Sequence, residues 1–374
     1  MRYAGLWFSL LIAVLPVFAP APAIAEYQDV TALFQLDRGA NHGANQGVNH
    51  GTNHGAAAYD AVARDLIFLE IDKKGALSEL RRINTGHNVY GVTAVADGYL
   101  YATGMGRNDL SAPIQIWLLP KSGATPRVVF EAQSERGQVA YLAAVGSKIW
   151  LTYFDAKYST KTGYLSPKPA AMWEFTEVAT LRLGDAVDVF GETMESIAIG
   201  RPYGDQQGED GDLLLFENGI RTLLPSYRGV RSVLFLPKLP KTTIVIGDGW
   251  HQNYGAVAQA RLSLLTKDND TGRFALQLID RDKQQYGFSK LIDLTIGGEQ
   301  YVAALGNRDL IVYGPIGEKH GEKQGEKQGG EWKKRAIFTR ESEDAPFDVA
   351  IIESSNTQAT FVVANRGVKL VSFP

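Results

Sequence analysis

Residues 300–314, QYVAALGNRDLIVYG, decide the fold, together with their counterpart near the end of the chain, residues 359–373, ATFVVANRGVKLVSF. Each holds an apolar run rich in β-branched and aromatic residues, a short Asn-Arg break, and a second apolar run. Two such runs divided by Gly, Asn, Asp or Arg read as strands joined by a turn. Moving outward, the unit recurs: 31–39 with 65–72, 98–107 with 114–120, 148–157 with 171–179, 195–202 with 212–219, and 242–250 with 258–265. With the first two, this makes seven hairpins. The segments VARDLIFLE (62–70) and GNRDLIVYG (306–314) open their second strand in the same way.

Further strands lie between the hairpins, at 128–132, 139–146, 232–237, 274–280, 290–296, 335–340 and 348–353. They fit as the outer strand of one unit and the inner strand of the next. No amphipathic helix stands out beyond the N-terminal segment. With two low-complexity segments set aside, the unit repeats about every 50 residues, the period of a propeller blade of four strands. A row of such sheets hides its edges by closing into a ring. The expectation is an all-β chain, a single β-propeller of four-stranded blades, with seven blades and six as the alternative. The last hairpin ends at Pro374, and only residues 26–30 precede the first, so one blade is expected to be stitched from both termini.

The chain has 374 residues, 45% of them apolar, no Cys and a formal charge of −3. That apolar share supports a large core. The missing Cys excludes disulfides, thiolate metal sites and a Cys nucleophile. The charge gives no ground for nucleic-acid binding. Arg2, the apolar run 6–18 and Ala23-Ile24-Ala25 have the layout of a cleavable secretory signal. We therefore expect a signal peptide at 1–25 and a propeller at 26–374, periplasmic or secreted, with no membrane span after cleavage and monomeric.

The low-complexity segments are 39–55, GANHGANQGVNHGTNHG, and 317–330, GEKHGEKQGEKQGG. Neither has an apolar face, and both read as solvated loops lengthened by tandem duplication. His42, His50 and His54 could bind a transition metal, but their spacing imposes no geometry, so the loop reading is preferred.

The segments 361–373, 303–314 and 244–265 resemble VCBS/FG-GAP-type propeller repeats, which pair a V-V-A-N-x-G or G-D-x-x strand end with a short strand. The resemblance spans about three of the seven units. It implies an exported binding protein more than a reaction. The acidic D-x-D-G-D calcium loop usual in that family is absent from these units.

In a four-stranded blade the loop from second to third strand opens on the rim that also carries the blade-to-blade connection. By the pairing above, those loops bring Arg38, Arg107, Lys157, Arg201, Arg308 and Arg366 to one rim, and the fifth unit carries Gly249-Trp250-His251 instead. If they point inward, they form a positive ring suited to an anion, since Arg makes bidentate contacts to carboxylate and phosphate. The competing reading pairs them with Asp37, Asp109, Asp155, Asp205 and Asp309. Tyr203, Trp250 and Tyr254, with Tyr158 and Tyr164, add aromatic surface for sugar stacking or, alternatively, for packing between blades. His251, near Asp248, is a candidate general base.

Asp205, Glu209, Asp210 and Asp212 are the candidate Ca²⁺ ligands, although they lack the full EF-hand spacing. Residues 268–272, DNDTG, read as a tight turn on the opposite rim. No cofactor is expected. No nucleophile-elbow, zinc-protease, Walker or Rossmann fingerprint is present. Three functions fit: a propeller binding a ligand or partner protein, with an anionic or sugar ligand at the channel mouth; a hydrolase or lyase acting on an anionic saccharide; and a structural scaffold.

Overall fold

The computed structural model describes residues 30–36, 55–72, 76–104, 113–134, 137–146, 148–156, 159–168, 172–182, 184, 186–190, 196–200, 213–217, 219–224, 229–236, 243–249, 260–268, 270–316, 332–342, 345 and 347–374. They form seven antiparallel sheets, each a meander in chain order. The first blade is β1 (Val30–Gln35), β2 (Gly55–Asp60), β3 (Asp65–Ile71) and β4 (Leu77–Asn84). The second is β5 (Asn88–Val95), β6 (Gly98–Gly104), β7 (Pro113–Pro120) and β8 (Arg127–Gln133). The third is β9 (Val139–Val145), β10 (Lys148–Ala156), β11 (Ser159–Ser166) and β12 (Glu174–Arg182). The fourth is β13 (Ala186–Phe190), β14 (Ser196–Gly200), β15 (Leu213–Glu217) and β16 (Ile220–Leu224). The fifth is β17 (Val230–Phe235), β18 (Thr243–Asp248), β19 (Ala260–Lys267) and β20 (Phe274–Asp282). The sixth is β21 (Phe288–Ile296), β22 (Glu299–Gly306), β23 (Asp309–Ile316) and β24 (Lys333–Thr339). The seventh is β25 (Asp348–Ser354), β26 (Ala359–Ala364) and β27 (Val368–Phe373).

The protein is a seven-bladed β-propeller, and the six-bladed alternative is excluded. The first strands of successive blades pack on one another, and β1 packs on β25, so the sheets close into a ring around an axis. Second strands such as β18 and β26 are buried on both faces and read as continuous apolar runs, whereas third strands such as β7 and β27 are only partly buried. Fourth strands are half-exposed and polar, as in β4 and β20. Seven apolar clusters fill the seven spaces between blades, including the one between the seventh and the first.

Two expected hairpins are corrected. In the first blade, β2 stands between the segments paired from sequence, and the true partner of β3 is Gly55–Asp60. In the third blade, β10 pairs with β11, and the segment 171–179 leads into the fourth strand. As for closure, Val30–Gln35 pairs wholly within the first blade, and residues 26–29 lie outside the described residues. Among the described residues the seventh blade has three strands.

Antiparallel order gives the ring two distinct rims. Connections from second to third strand, and from blade to blade, leave on one rim, here the turn rim. Connections from first to second and third to fourth strand leave on the other. Both low-complexity segments, one after β1 and one after β23, join strands on that second rim. Five first strands carry a bulge near the turn rim, at Thr31, Tyr90, Ala140, Arg231 and Ser289. The local sequence repeats as an apolar residue, the bulged residue, a variable residue and a Leu or Val: Val30 to Leu33, Val89 to Val92, Val139 to Leu142, Val230 to Val233 and Phe288 to Leu291. A bulge re-aims the side chain it carries.

Candidate functional site

The axis of the ring is a channel of about 220 Å³ lined by residues of the seven first strands. Its charged lining is Asp188, Asp293, Asp348 and Lys290, and its aromatic lining is Phe34, Tyr90 and Tyr141. Most of this charge is engaged in holding blades together. Asp348 Oδ2 accepts the backbone N–H of Leu33 at 2.8 Å, and its Oδ1 accepts Lys290 Nζ at 3.0 Å. Lys290 Nζ also donates to the Leu33 carbonyl at 2.8 Å, so one ion pair ties the sixth, seventh and first blades. Asp188 accepts the N–H of Phe235 at 2.8 Å and the Tyr141 hydroxyl at 3.4 Å. Asp293 accepts the Gln300 amide at 3.0 Å. Thr93 repeats the device with a neutral oxygen, accepting Ala144 N–H at 3.1 Å. An inward polar atom thus satisfies a first-strand N–H that has no ladder partner on the channel side.

Among the described residues, no Arg lines the channel. Of the candidate ligand-binding residues, Arg308 and Arg366 are described, and both are exposed on the turn rim. Arg308 Nη1 donates to Gln284 Oε1 at 3.3 Å, and its backbone N–H donates to Gln285 Oε1 at 2.9 Å. Asp309, its expected partner, accepts the Gln285 amide instead, at 2.7 Å. Arg366 has φ 48° and lies near Glu341. The hydrogen bond from Lys369 holds the Glu341 carboxyl below its usual range, burial opposes this, and the charges of Lys369 and Arg366 add to the lowering.

Arg38, Arg107, Lys157, Arg201, Tyr203, Trp250, His251 and Tyr254 lie outside the described residues, as do Asp205, Glu209, Asp210 and Asp212. The first blade's second-to-third-strand turn is residues 61–64, so the pairing that assigned Arg38 to that turn is corrected. Tyr164 is not a loop residue. It lies in β11, edge-on to Trp150 at 5.7 Å, with Lys148 Nζ 4.3 Å from its ring centre. Asp155 pairs with Lys161 at 3.4 Å. The 268–272 segment is the expected tight turn: Asp268 Oδ1 accepts the N–H groups of Asp270 and Thr271, and Gly272 takes φ 66°.

Two basic residues on the turn rim were missed. Arg64 occupies the first blade's second-to-third-strand turn, the place assigned to Arg38. It is exposed with φ 59°, and its Nη1 donates to the Gly86 carbonyl at 2.7 Å. Its signal was the shared Arg-Asp-Leu-Ile of 64–67 and 308–311. Arg231 is the bulged residue of β17, and it supplies a base to the blade that has none in its turn. Its signal was the recurring start of the first strands. Among the described residues, no group of three or more metal-ligating side chains assembles, and no helix is long and apolar enough to cross a membrane.

No family model matches the chain, and neither does any curated protein. Solved structures do resemble it. A chain of the mitotic checkpoint complex aligns with TM-score 0.52 and 11% identity, over 100% of this chain and 98% of that one. Saccharomyces cerevisiae Sqt1 aligns with TM-score 0.48 and 10% identity, over 93% and 97%. A candidate 6-phosphogluconolactonase from Bacteroides uniformis aligns with TM-score 0.48 and 12% identity, over 82% and 88%. At these identities the first likeness bears on the fold alone.

Proposed function

We propose that the protein is an exported, non-enzymatic binding propeller that takes an anionic ligand, such as an acidic saccharide, on its turn rim at the channel mouth. One observation carries this reading: Arg64, Arg308 and Arg366 all stand exposed at the same turn of their blades. Two of them hold a left-handed backbone, which costs a non-glycine residue about 1–2 kcal/mol. A Gly there would remove that cost but also the charge. On a chain of net charge −3, cations gathered on one rim focus attraction for anions there. The likeness of 303–314 and 361–373 to VCBS/FG-GAP-type repeats points the same way. The signal layout at 1–25 supports export to a periplasm or beyond.

The test is an array of sulfated, carboxylated and neutral saccharides and small organic anions, probed with the purified protein at low and high salt. Binding confined to anionic members, and weakened by salt, is expected. Binding indifferent to charge, or turnover of any member, would overturn the reading. N-terminal sequencing of the exported protein should begin at Glu26, and an intact Met1 would remove the export half.

A further inference from the structure

We infer that Arg231 is the anion anchor of the channel mouth, the side chain that takes an oxyanion group of the ligand, whether carboxylate, sulfate or phosphate. This rests on the turn-rim reading above and names the residue and the chemistry. Arg231 sits at the bulge of β17, on a first strand. Tyr90 and Ala140 occupy the same bulge position in their blades, and both line the channel. Thr31 and Ser289, also bulged, and Arg231 itself are not among the lining residues, so the bulge places Arg231 at the turn-rim end of the innermost strand of its blade, beside the channel rather than in it.

Its surroundings are built to hold it. Gly287 lies beneath the side chain, where a Cβ would come within 2.7 Å of Arg231 Cδ and 3.1 Å of Nε. Gly287 is fixed in turn by its bridge to Gly249. The next residue, Ser232, donates to the Phe288 carbonyl at 2.7 Å and pins the strand to the sixth blade. The stem of Arg231 thus runs close over the Gly287 backbone.

Its head group is the exception among the rim arginines. Arg64 donates to a carbonyl, Arg308 to Gln284, and Arg366 lies in the field of Glu341. Arg231 has no ion pair and no hydrogen-bonded side-chain atom among the described residues, and its Nε is buried without an acceptor. A guanidinium remains charged at any physiological pH, and a buried donor left unpaired is destabilising. An oxyanion meeting the part-exposed head group would neutralise its charge in the forked geometry that Arg offers.

The experiment is calorimetric titration of the purified protein with inorganic phosphate, sulfate and acetate, for wild type, R231Q, R231K and R308Q. Circular dichroism and melting temperature are recorded for each. Wild type should bind phosphate and sulfate saturably at one site. R231Q should weaken binding at least tenfold, R231K should retain part of it, and R308Q, also on the turn rim, should weaken it less than R231Q does. Because R231Q loses no internal hydrogen bond, its fold should persist. If it does not, retained binding in R231K carries the same information, and its loss overturns the assignment. If R231Q binds as wild type does while R308Q fails, Arg231 is not the anchor and the turn-rim reading stands. If wild type binds none of the three anions, both fall.

Discussion

The seam between the second and third blades and the seam between the seventh and first solve one packing problem in opposite ways. The first is aromatic. Phe130 lies 6.4 Å from Tyr153 and 5.8 Å from Phe175, with Tyr153 and Phe175 5.5 Å apart, and Trp173 joins the cluster. Phe130 comes from β8, the outer strand of its blade, so a fourth strand delivers bulk into the gap. The second seam contains no aromatic residue in its buried cluster. It is built from Ala56, Ala58, Ala350 and Ala364 with seven branched aliphatic side chains, beside a blade with no fourth strand among the described residues. Small residues let the sheets come together here, and the Lys290–Asp348–Leu33 contacts add a polar clasp. Bulk holds one seam, and proximity with charge holds the other.

This contrast can be broken by substitution. Phe130→Ala should be the most damaging change, destabilising by about 4 kcal/mol in urea unfolding through loss of transfer energy and an unfilled cavity. A loss of under about 1 kcal/mol would show that the aromatic seam is dispensable. Asp348→Ala should follow at about 3 kcal/mol, because it strands the Lys290 ammonium and the Leu33 N–H together. Hydrogen exchange should show the β1 amides losing protection first, whereas uniform loss across the ring would refute a closing role. Asp348→Asn, which keeps an acceptor but not the charge, should cost about half as much.

Overpacking sharpens the contrast from the other side. Ala350→Leu should destabilise by about 2 kcal/mol, since the small-residue seam has no room for bulk. A neutral result would mean that the two seams are equally plastic. The smallest effect is electrostatic and belongs to a third seam. Lys334 Nζ lies 2.7 Å from both Asp280 and Asp282, tying the outer strands of the fifth and sixth blades. Burial works against ionisation of Asp282, yet the hydrogen bonds from Lys334 and the Gln284 N–H hold its carboxyl below the ordinary range. A carboxyl so lowered contributes stability that is in place above its unfolded pKa, about 4, and is lost as pH falls through the folded value. Lys334→Met should therefore flatten the decline of stability between about pH 5 and pH 2, measured as urea midpoints. An unchanged acid limb would remove Lys334 from that account.

How much of this was legible depended on side-chain size and polarity. Strands such as β22, β23, β26 and β27 announced themselves through Val, Ile, Leu and Tyr. Two did not. β2 reads GAAAYD and is fully buried along Ala56, Ala57 and Ala58, but a run of alanines carries no strand signature. β11 reads STKTGYLS, and its buried Thr160 and Thr162 resemble a loop, although Thr162 pairs with Thr152 by a hydroxyl contact of 3.0 Å inside the sheet. Missing β2 put Arg38 in the place of Arg64. Arg308 and Arg366 lie in the second-to-third-strand turns expected of them, and Arg64 was overlooked in the first blade, because site assignment inherits every error of strand pairing. Arg231 was hidden for a different reason: a bulge changes which way a side chain points without changing the residues around it.

The division of the ring into two rims carries a consequence for how the gene can change. Four-residue repeats such as GANHGANQ and GEKHGEKQ are the kind of sequence that replication slippage lengthens and shortens. Both interrupt the chain between strands that meet on the rim away from Arg64, Arg231, Arg308 and Arg366. Length drift there is uncoupled from the residues assigned to recognition, and loop closure becomes only slowly more costly as a connection grows. The same rim is the natural place to graft a reporter domain, leaving the opposite face unaltered.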